Sequence, residues 1–190
     1  MKRFSSRLAL IDAVKAIASQ LIVLHHLAYY GPMSDIAMQI APDLISWLAE
    51  YGRLSVPAFL ACGGFLAAQA LAPHGMLVSR NAIAVLIQRY LRLVVPYLLV
   101  LLFAIFAAAI ARQLMNHETV PPSPTLPQLL AHVLLLQDLL DYDALSAGIW
   151  YVAIDFQLFS VLLALLWLAR QRALTIHGRV ALGTGLVLLC

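Results

Sequence analysis

The stretch LALIDAVKAIASQLIVLHHLAYY, residues 8–30, decides the fold class, because its length and apolar character are those of a membrane-spanning helix. Four polar residues interrupt it: Asp12, Lys15, Ser19 and His26. On a helix with about 100° per residue, the last three lie within roughly 60° of the first, so the four form one stripe. Ionisable groups inside a bilayer are costly and rarely face lipid. The stripe therefore predicts a functional site in the interior of a helix bundle.

The composition of the whole chain supports a membrane protein. Of its 190 residues, 63% are hydrophobic and 11% are charged, whereas a soluble globular domain carries about 25% charged residues. The long continuous apolar runs argue against a transmembrane β-barrel, which needs alternating segments of about ten residues. The basic residues flank helix ends instead of forming one soluble patch, which argues against nucleic acid as a partner. We predict an all-α, polytopic transmembrane helix bundle in the lipid bilayer.

The apolar runs predict four complete spans, over residues 8–30, 54–71, 91–111 and 148–169. A fifth run opens near Val180, and only about eleven residues remain where a span needs about 20. We therefore expect a truncated fifth span and a single membrane domain over residues 1–190 that is incomplete at its C-terminal end. Two further segments are helical in pattern but short. Residues 36–51 predict an interfacial helix interrupted at Pro42, and residues 126–140 an apolar helix on, or partly dipping into, the outer side.

The connections between the spans alternate in charge, which predicts their orientation. Basic residues precede the first span, separate the second from the third and follow the fourth, whereas the other two connections are mainly acidic. Because positive residues stay on the cytoplasmic side, we expect a multi-pass protein whose N-terminus is cytoplasmic.

His26 is the first candidate catalytic residue, because a neutral imidazole can take a proton from a hydroxyl group as a general base. The competing interpretation is a histidine that only bonds to a neighbouring helix. His25 points about 100° away and is expected to be a packing or interfacial residue. Asp12 and Lys15 are spaced to pair with each other, although Lys15 alone could also be a simple interfacial anchor.

Asp155 is an ionisable group inside the fourth predicted span, at a depth similar to that of His26. A carboxylate there could orient the imidazole, or it could make a structural bond between helices. Arg89 and Arg92 lie at the cytoplasmic mouth of the third span. Their planar guanidinium groups suit the phosphate oxygens of a cosubstrate, although the general excess of positive residues on the cytoplasmic side explains them as well. No metal site is predicted.

Four blocks of the chain resemble, in order, the acyltransferase 3 family of integral-membrane O-acyltransferases. The family's opening "LDGLRAIA…VVxxH" block is matched by residues 10–18 and 22–26, and its "FFVLSGFL" block by residues 59–66. Residues 89–97 look like "RRLLRLxPxY", and residues 150–159 look like "WSLxVExQFY". The chain departs from these patterns at Lys15, where the family has arginine, at Gly63 and Tyr151, where it has serine, and at Asp155, where it has glutamate.

The resemblance implies acyl transfer, usually of acetyl from acetyl-CoA, to a hydroxyl of a carbohydrate or similar cell-envelope molecule. It marks His26 as the functional histidine and Lys15 and Asp155 as further catalytic candidates, with Lys15, Arg89 and Arg92 as residues that bind acyl-CoA. It implies a bacterial-type inner membrane, acyl-CoA as a cosubstrate and no permanently bound cofactor. Two alternatives stay open: a proton or solute pathway in a transporter-like bundle, and a non-catalytic truncated remnant.

Overall fold

The computed structural model describes residues 5–79, 81–117 and 120–171, and these residues form seven α-helices without a strand. The helices, numbered in chain order, are α1 (Ser5–Tyr29), α2 (Met33–Ile40), α3 (Pro42–Tyr51), α4 (Ser55–Leu71), α5 (Ala82–Leu114), α6 (Leu126–Val133) and α7 (Trp150–Gln171). A 3-10 turn, Gly52–Leu54, joins α3 to α4. The all-α prediction is confirmed.

Four helical segments of the described chain are long and apolar enough to cross a membrane: Ala9–Tyr29, Pro42–Leu71, Ala82–Leu114 and Trp150–Gln171. They contain the four predicted spans almost entirely, so the polytopic architecture is confirmed. Large apolar side chains on the outer face of α5 are exposed, among them Leu102, Phe103 and Phe106. Lipid is the solvent that such a surface requires. The predicted fifth span falls on residues outside the described part of the chain.

The chain divides into two compact units, with the boundary inside α4 at Phe65 and Leu66. In the first unit, α1 packs against α2, α3 and the 3-10 turn. The predicted helix over residues 36–51 is present as α2 and α3, and its expected interruption at Pro42 is confirmed, since the helices part at Ala41. Proline at the first position of α3 suits a helix start, because no intrahelical bond needs its missing N–H.

In the second unit, α5 and α7 run antiparallel, and two apolar clusters lie along their contact. The first cluster lies near the start of α5 and the end of α7, with Leu71, Leu77, Phe159, Leu162, Leu163 and Leu166 as its buried members. The second lies deeper along α5, with Tyr97, Leu101, Leu135, Leu145, Ile149 and Ala153. Because Tyr97 and Ile149 share the second cluster, α7 begins beside the middle of α5. The end of α6 lies beside the same stretch of α5, where the Tyr90 hydroxyl donates to the Val133 carbonyl.

Two sequence predictions need correction here. The helix expected over residues 126–140 ends at Val133, because Leu135 adopts a left-handed backbone conformation (φ 57°) that stops an α-helix and turns its side chain into the second cluster. The third span begins earlier than residue 91. Asn81 caps α5 by accepting a hydrogen bond from the Ala84 amide at 3.0 Å, so the helix already starts at Ala82.

Candidate functional site

The predicted stripe of polar residues lies on one continuous helix, as expected, but its members differ in their surroundings. Asp12 is exposed, whereas Lys15, Ser19 and His26 are partly buried. Ser19 donates to the carbonyl of Ala16 in its own helix, at 2.8 Å. The expected ion pair between Asp12 and Lys15 does not form in the described structure. Instead, Nζ of Lys15 lies 5.6 Å from the centre of the Phe59 ring, a cation–π contact between α1 and α4.

The hydrogen bond of His26 determines which of its ring nitrogens can act as a base. Nδ1 lies 2.7 Å from the carbonyl oxygen of Ile22, one turn earlier in α1. A carbonyl can only accept, so Nδ1 carries the proton and donates it. In the neutral ring the lone pair then belongs to Nε2, which is the atom that can accept a proton.

Two neighbouring rings, those of His25 and Tyr30, contact the ring of His26 at this end of α1. The rings of His26 and Tyr30 are nearly parallel, with an interplanar angle of 17° and centres 5.9 Å apart. The ring of His25 meets that of His26 edge-on at 5.3 Å and contacts Tyr29 at 5.6 Å. These contacts limit the rotamers open to the imidazole.

Arg89 and Asp155 form an ion pair between α5 and α7. Nη2 of Arg89 donates to Oδ2 of Asp155 at 2.6 Å, and the side chains are 32% and 16% exposed. The guanidinium carbon also lies 4.9 Å from the centre of the ring of Phe159, one turn after Asp155 on the same face of α7. The pair was not predicted from the sequence, although two opposite charges within separate apolar helices are a signal for such a contact.

The two arginines differ in what holds them. The position of both at the mouth of the span stays a prediction, and within α5 the side chain of Arg89 is held against α7 by Asp155. Arg92, one turn later, is exposed and has no hydrogen-bond or ion-pair partner among the described residues. Of the two arginines, Arg92 is therefore the more exposed and the less constrained. The orientation of His26 by Asp155 stays a prediction, and the partner that the structure gives Asp155 is Arg89.

His132 has a structural role that the sequence left open. Its side chain is fully buried, Nδ1 lies 2.8 Å from the carbonyl oxygen of Gln128, and Nε2 lies 3.2 Å from the amide nitrogen of Leu145. The carbonyl accepts and the amide donates, so both ring nitrogens are occupied by backbone. His132 ties α6 to the loop before α7 and is not a candidate base.

A groove of about 570 Å³ lies between the first turns of α5 and the last turns of α7. Its walls are mainly apolar, with Leu86, Leu163 and Trp167 among them, and its polar members are Asn81 and Ser160. None of the residues that line it is ionisable. The groove can accept an apolar group but supplies no acid or base of its own.

Within the described residues, no group of histidine, cysteine, aspartate and glutamate side chains has the geometry of a metal site. The fold and the charged groups together define a multi-pass helical membrane protein with a histidine and an ion pair inside its spans. A family model described as an acyltransferase domain, that of the acyltransferase 3 family, matches residues 8–190. The chain belongs to this family of membrane acyltransferases. Neither the curated proteins nor the solved structures compared with the chain give a match.

Proposed function

We propose that this protein transfers an acyl group, in particular acetyl, from acyl-CoA to a hydroxyl of a cell-envelope carbohydrate. The observation that carries the proposal is the bond from Nδ1 of His26 to the carbonyl of Ile22, because it makes Nε2 the basic atom of a histidine inside a span. The family supports acyl transfer as the chemistry. The protein would lie in a bacterial-type inner membrane with its N-terminus in the cytoplasm, as the charge of its connections indicates.

His26 is the general base of the proposed reaction. The acceptor oxygen attacks the carbonyl carbon of the thioester while its proton passes to Nε2 of His26. The carbon–sulfur bond then breaks, and the proton moves on to the CoA thiolate, so that the products are an ester and free CoA. The Ile22 carbonyl holds the imidazole in the tautomer that this step needs and stabilises the positive ring that forms.

Basic side chains bind the phosphates of acyl-CoA in this proposal. Arg92 is exposed and presents a planar fork that binds two phosphate oxygens at once. Lys15 contributes a point charge about 16 Å along α1 from His26, so an extended pantetheine arm would connect the two positions. Arg89 would contribute only the part of its guanidinium that Asp155 does not bind, since its side chain is 32% exposed and the carboxylate fixes it in place.

Transfer of label from [14C]acetyl-CoA tests the proposal. Membrane vesicles from cells that express the protein are supplied with labelled acetyl-CoA on the cytoplasmic side, and base-released acetate is counted in the envelope carbohydrate fraction. We expect His26→Ala to lower the incorporation about 100-fold or more, the usual contribution of a general base. His74→Ala is the matched control, because His74 is an exposed histidine in the turn after α4. Incorporation that is unchanged in His26→Ala contradicts the proposal.

The binding residues have a separate readout in the same vesicles. We expect Arg92→Ala to raise the KM for acetyl-CoA about tenfold while kcat changes little, because the phosphates are bound equally in the ground state and the transition state. Arg92→Lys should recover only part of the loss, since the ammonium cannot bind two oxygens at once. If the KM for acetyl-CoA stays at its original value in Arg92→Ala, Arg92 does not bind the phosphates of acetyl-CoA.

A further inference from the structure

We propose that His25 is a positioning residue for His26, and that it acts by fixing the end of α1 against the end of α3. This inference rests on the proposed role of His26 as the base. It concerns residues of the first unit only, and it gives a function to the neighbouring histidine that sequence analysis assigned to packing.

The bond that fixes the two helices runs from His25 to Leu48. Nδ1 of His25 lies 3.1 Å from the backbone oxygen of Leu48, which lies in the last turn of α3. That oxygen can only accept, so the imidazole donates. It also receives the amide of Gly52, the residue that caps α3, and the two bonds occupy both of its lone pairs. Without His25, this carbonyl would lose a partner at a helix end where acceptors already exceed donors.

Gly52 permits the close approach that this bond needs. A Cβ atom placed on Gly52 would lie 2.7 Å from Cβ of His25 and 3.3 Å from both the His25 Cα and the Leu21 oxygen. Every one of these atoms belongs to α1, and two of the three are backbone, so no side-chain rotation relieves the overlap. Ser55 holds the same turn from the other side, with its buried hydroxyl donating to the Gly52 carbonyl at 2.6 Å. Any larger residue at position 52 must push α1 away from the turn.

His26 shares this environment, because its ring meets that of His25 edge-on at 5.3 Å. Its Nδ1 bond to Ile22 sets the orientation of the ring relative to α1, but not the place of α1 relative to α3. The His25 bond and the Gly52 contact set that second relation. A shift of about 1 Å at a reacting group can cost about 100-fold in rate, so loss of either feature should lower kcat while acyl-CoA binding stays intact.

The test uses two replacements of His25 that differ in a single property. The amide group of an asparagine would still carry an N–H donor near the former Nδ1, so His25→Asn keeps the bond to Leu48, whereas His25→Leu removes it. In the vesicle assay we expect His25→Leu to lower kcat at least tenfold with the KM for acetyl-CoA unchanged, and His25→Asn to retain most of the activity. Gly52→Ala should resemble His25→Leu. Gly148→Ala is the control, since a Cβ there meets no atom within 4 Å.

A measurement without catalysis separates this inference from the proposed function. In detergent micelles, the 15N resonances of labelled histidine report which nitrogen of His26 carries the proton and how well the ring is fixed. We expect the Nδ1-protonated form in every variant, because the bond to Ile22 lies within α1, and broadened His26 resonances only in His25→Leu and Gly52→Ala, where the ring is less well fixed. If His26→Ala stays active, the proposed function fails, while the resonances still test the positioning. Equal kcat and equal resonances in His25→Leu and the original protein overturn the inference.

Discussion

At the scale of single residues, the ion pair of Arg89 and Asp155 stabilises the fold only while both partners are present. The two groups lie between apolar helices and are only 32% and 16% exposed. A carboxylate or guanidinium left alone there loses its partner without gaining full hydration. The pair therefore stabilises the contact between α5 and α7 mainly because removal of either partner would leave the other charge partly buried and unpaired.

A double-mutant cycle on this pair follows from that asymmetry. We expect Arg89→Met alone and Asp155→Leu alone each to lower the free energy of unfolding by about 1–3 kcal/mol. The double variant should recover most of the loss, because two apolar side chains suit the same surroundings. Denaturant unfolding in detergent micelles measures all three. Arg92→Met, on the exposed side of the same helix, should leave the stability unchanged. Losses that simply add in the double variant would show that the two residues do not interact.

His132 yields a second prediction at this scale. Its replacement by leucine leaves the amide of Leu145 without its acceptor, which costs about 1–3 kcal/mol for a buried donor. Glutamine can place an oxygen near the former Nε2, so His132→Gln should be less destabilised than His132→Leu. The midpoint of thermal unfolding in micelles distinguishes the two, with His74→Leu as the exposed control. An equal midpoint in both His132 variants would mean that the bond to Leu145 contributes nothing.

At the scale of elements, the loop between α6 and α7 has to satisfy its backbone without a helix. It packs on α5 at Tyr97 and Leu101, within the most apolar part of that helix. Non-helical backbone in such apolar surroundings is tolerated only where protein or water satisfies its polar groups. Side chains supply part of this: Gln157 donates to the Leu135 carbonyl, and Tyr90 to the Val133 carbonyl at the end of α6, both at 2.8 Å. The amides of Leu136 and Leu140 donate to backbone carbonyls instead.

Asp141 provides a prediction for this loop, because its φ of 57° lies in the left-handed region. Glycine adopts that region without the steric cost of a Cβ atom. We expect Asp141→Gly to raise the free energy of unfolding by about 0.5–1 kcal/mol and Asp141→Val to lower it by about 1 kcal/mol or more. Asp143→Gly is the matched control, since Asp143 is exposed but has no positive φ, and should be neutral or slightly destabilising. A stabilised Asp143→Gly would show that loop glycines act here through something other than φ.

The same loop shows where sequence patterns stop being informative. The run from Leu134 to Leu136 continues the apolar pattern of α6 without a glycine or proline, so local propensity predicts a longer helix. Tertiary packing ends α6, because burial of the Leu135 side chain in the second cluster is more favourable than its exposure on a helix surface. The four spans were predictable because a run of about 20 apolar residues has the length and composition of a membrane-spanning helix.

The candidate site was predictable to a similar, partial degree. The face shared by Lys15 and His26 follows from helical periodicity alone. The pairing of Arg89 with Asp155 does not, because the partners are 66 residues apart and only the packing of α5 on α7 brings them together. The bond from His25 to Leu48 was hidden for the same reason, since its acceptor is a backbone atom that carries no signal in the sequence.

At the scale of the whole molecule, the central consequence of the fold is that α5 separates two surfaces. α5 has 33 residues and is long enough to cross the bilayer, since about 20 residues suffice. The turn after α4 then lies on one side of the membrane, and the loop between α6 and α7 on the other. The charge of the connections predicts that the first of these sides is the cytoplasm.

Cysteine labelling in spheroplasts tests this arrangement. Cys62 and Cys190 are first replaced by serine, and single cysteines are then placed at Val78 or Asp141, which are both exposed in the structure. We expect a membrane-impermeant maleimide to label Asp141→Cys in intact spheroplasts and Val78→Cys only after permeabilisation, because the reagent cannot cross the bilayer. The reverse pattern would invert the orientation and place Arg92 away from cytoplasmic acyl-CoA. Labelling of both positions in intact spheroplasts would mean that α5 does not span the membrane, and the four-span architecture would then be wrong.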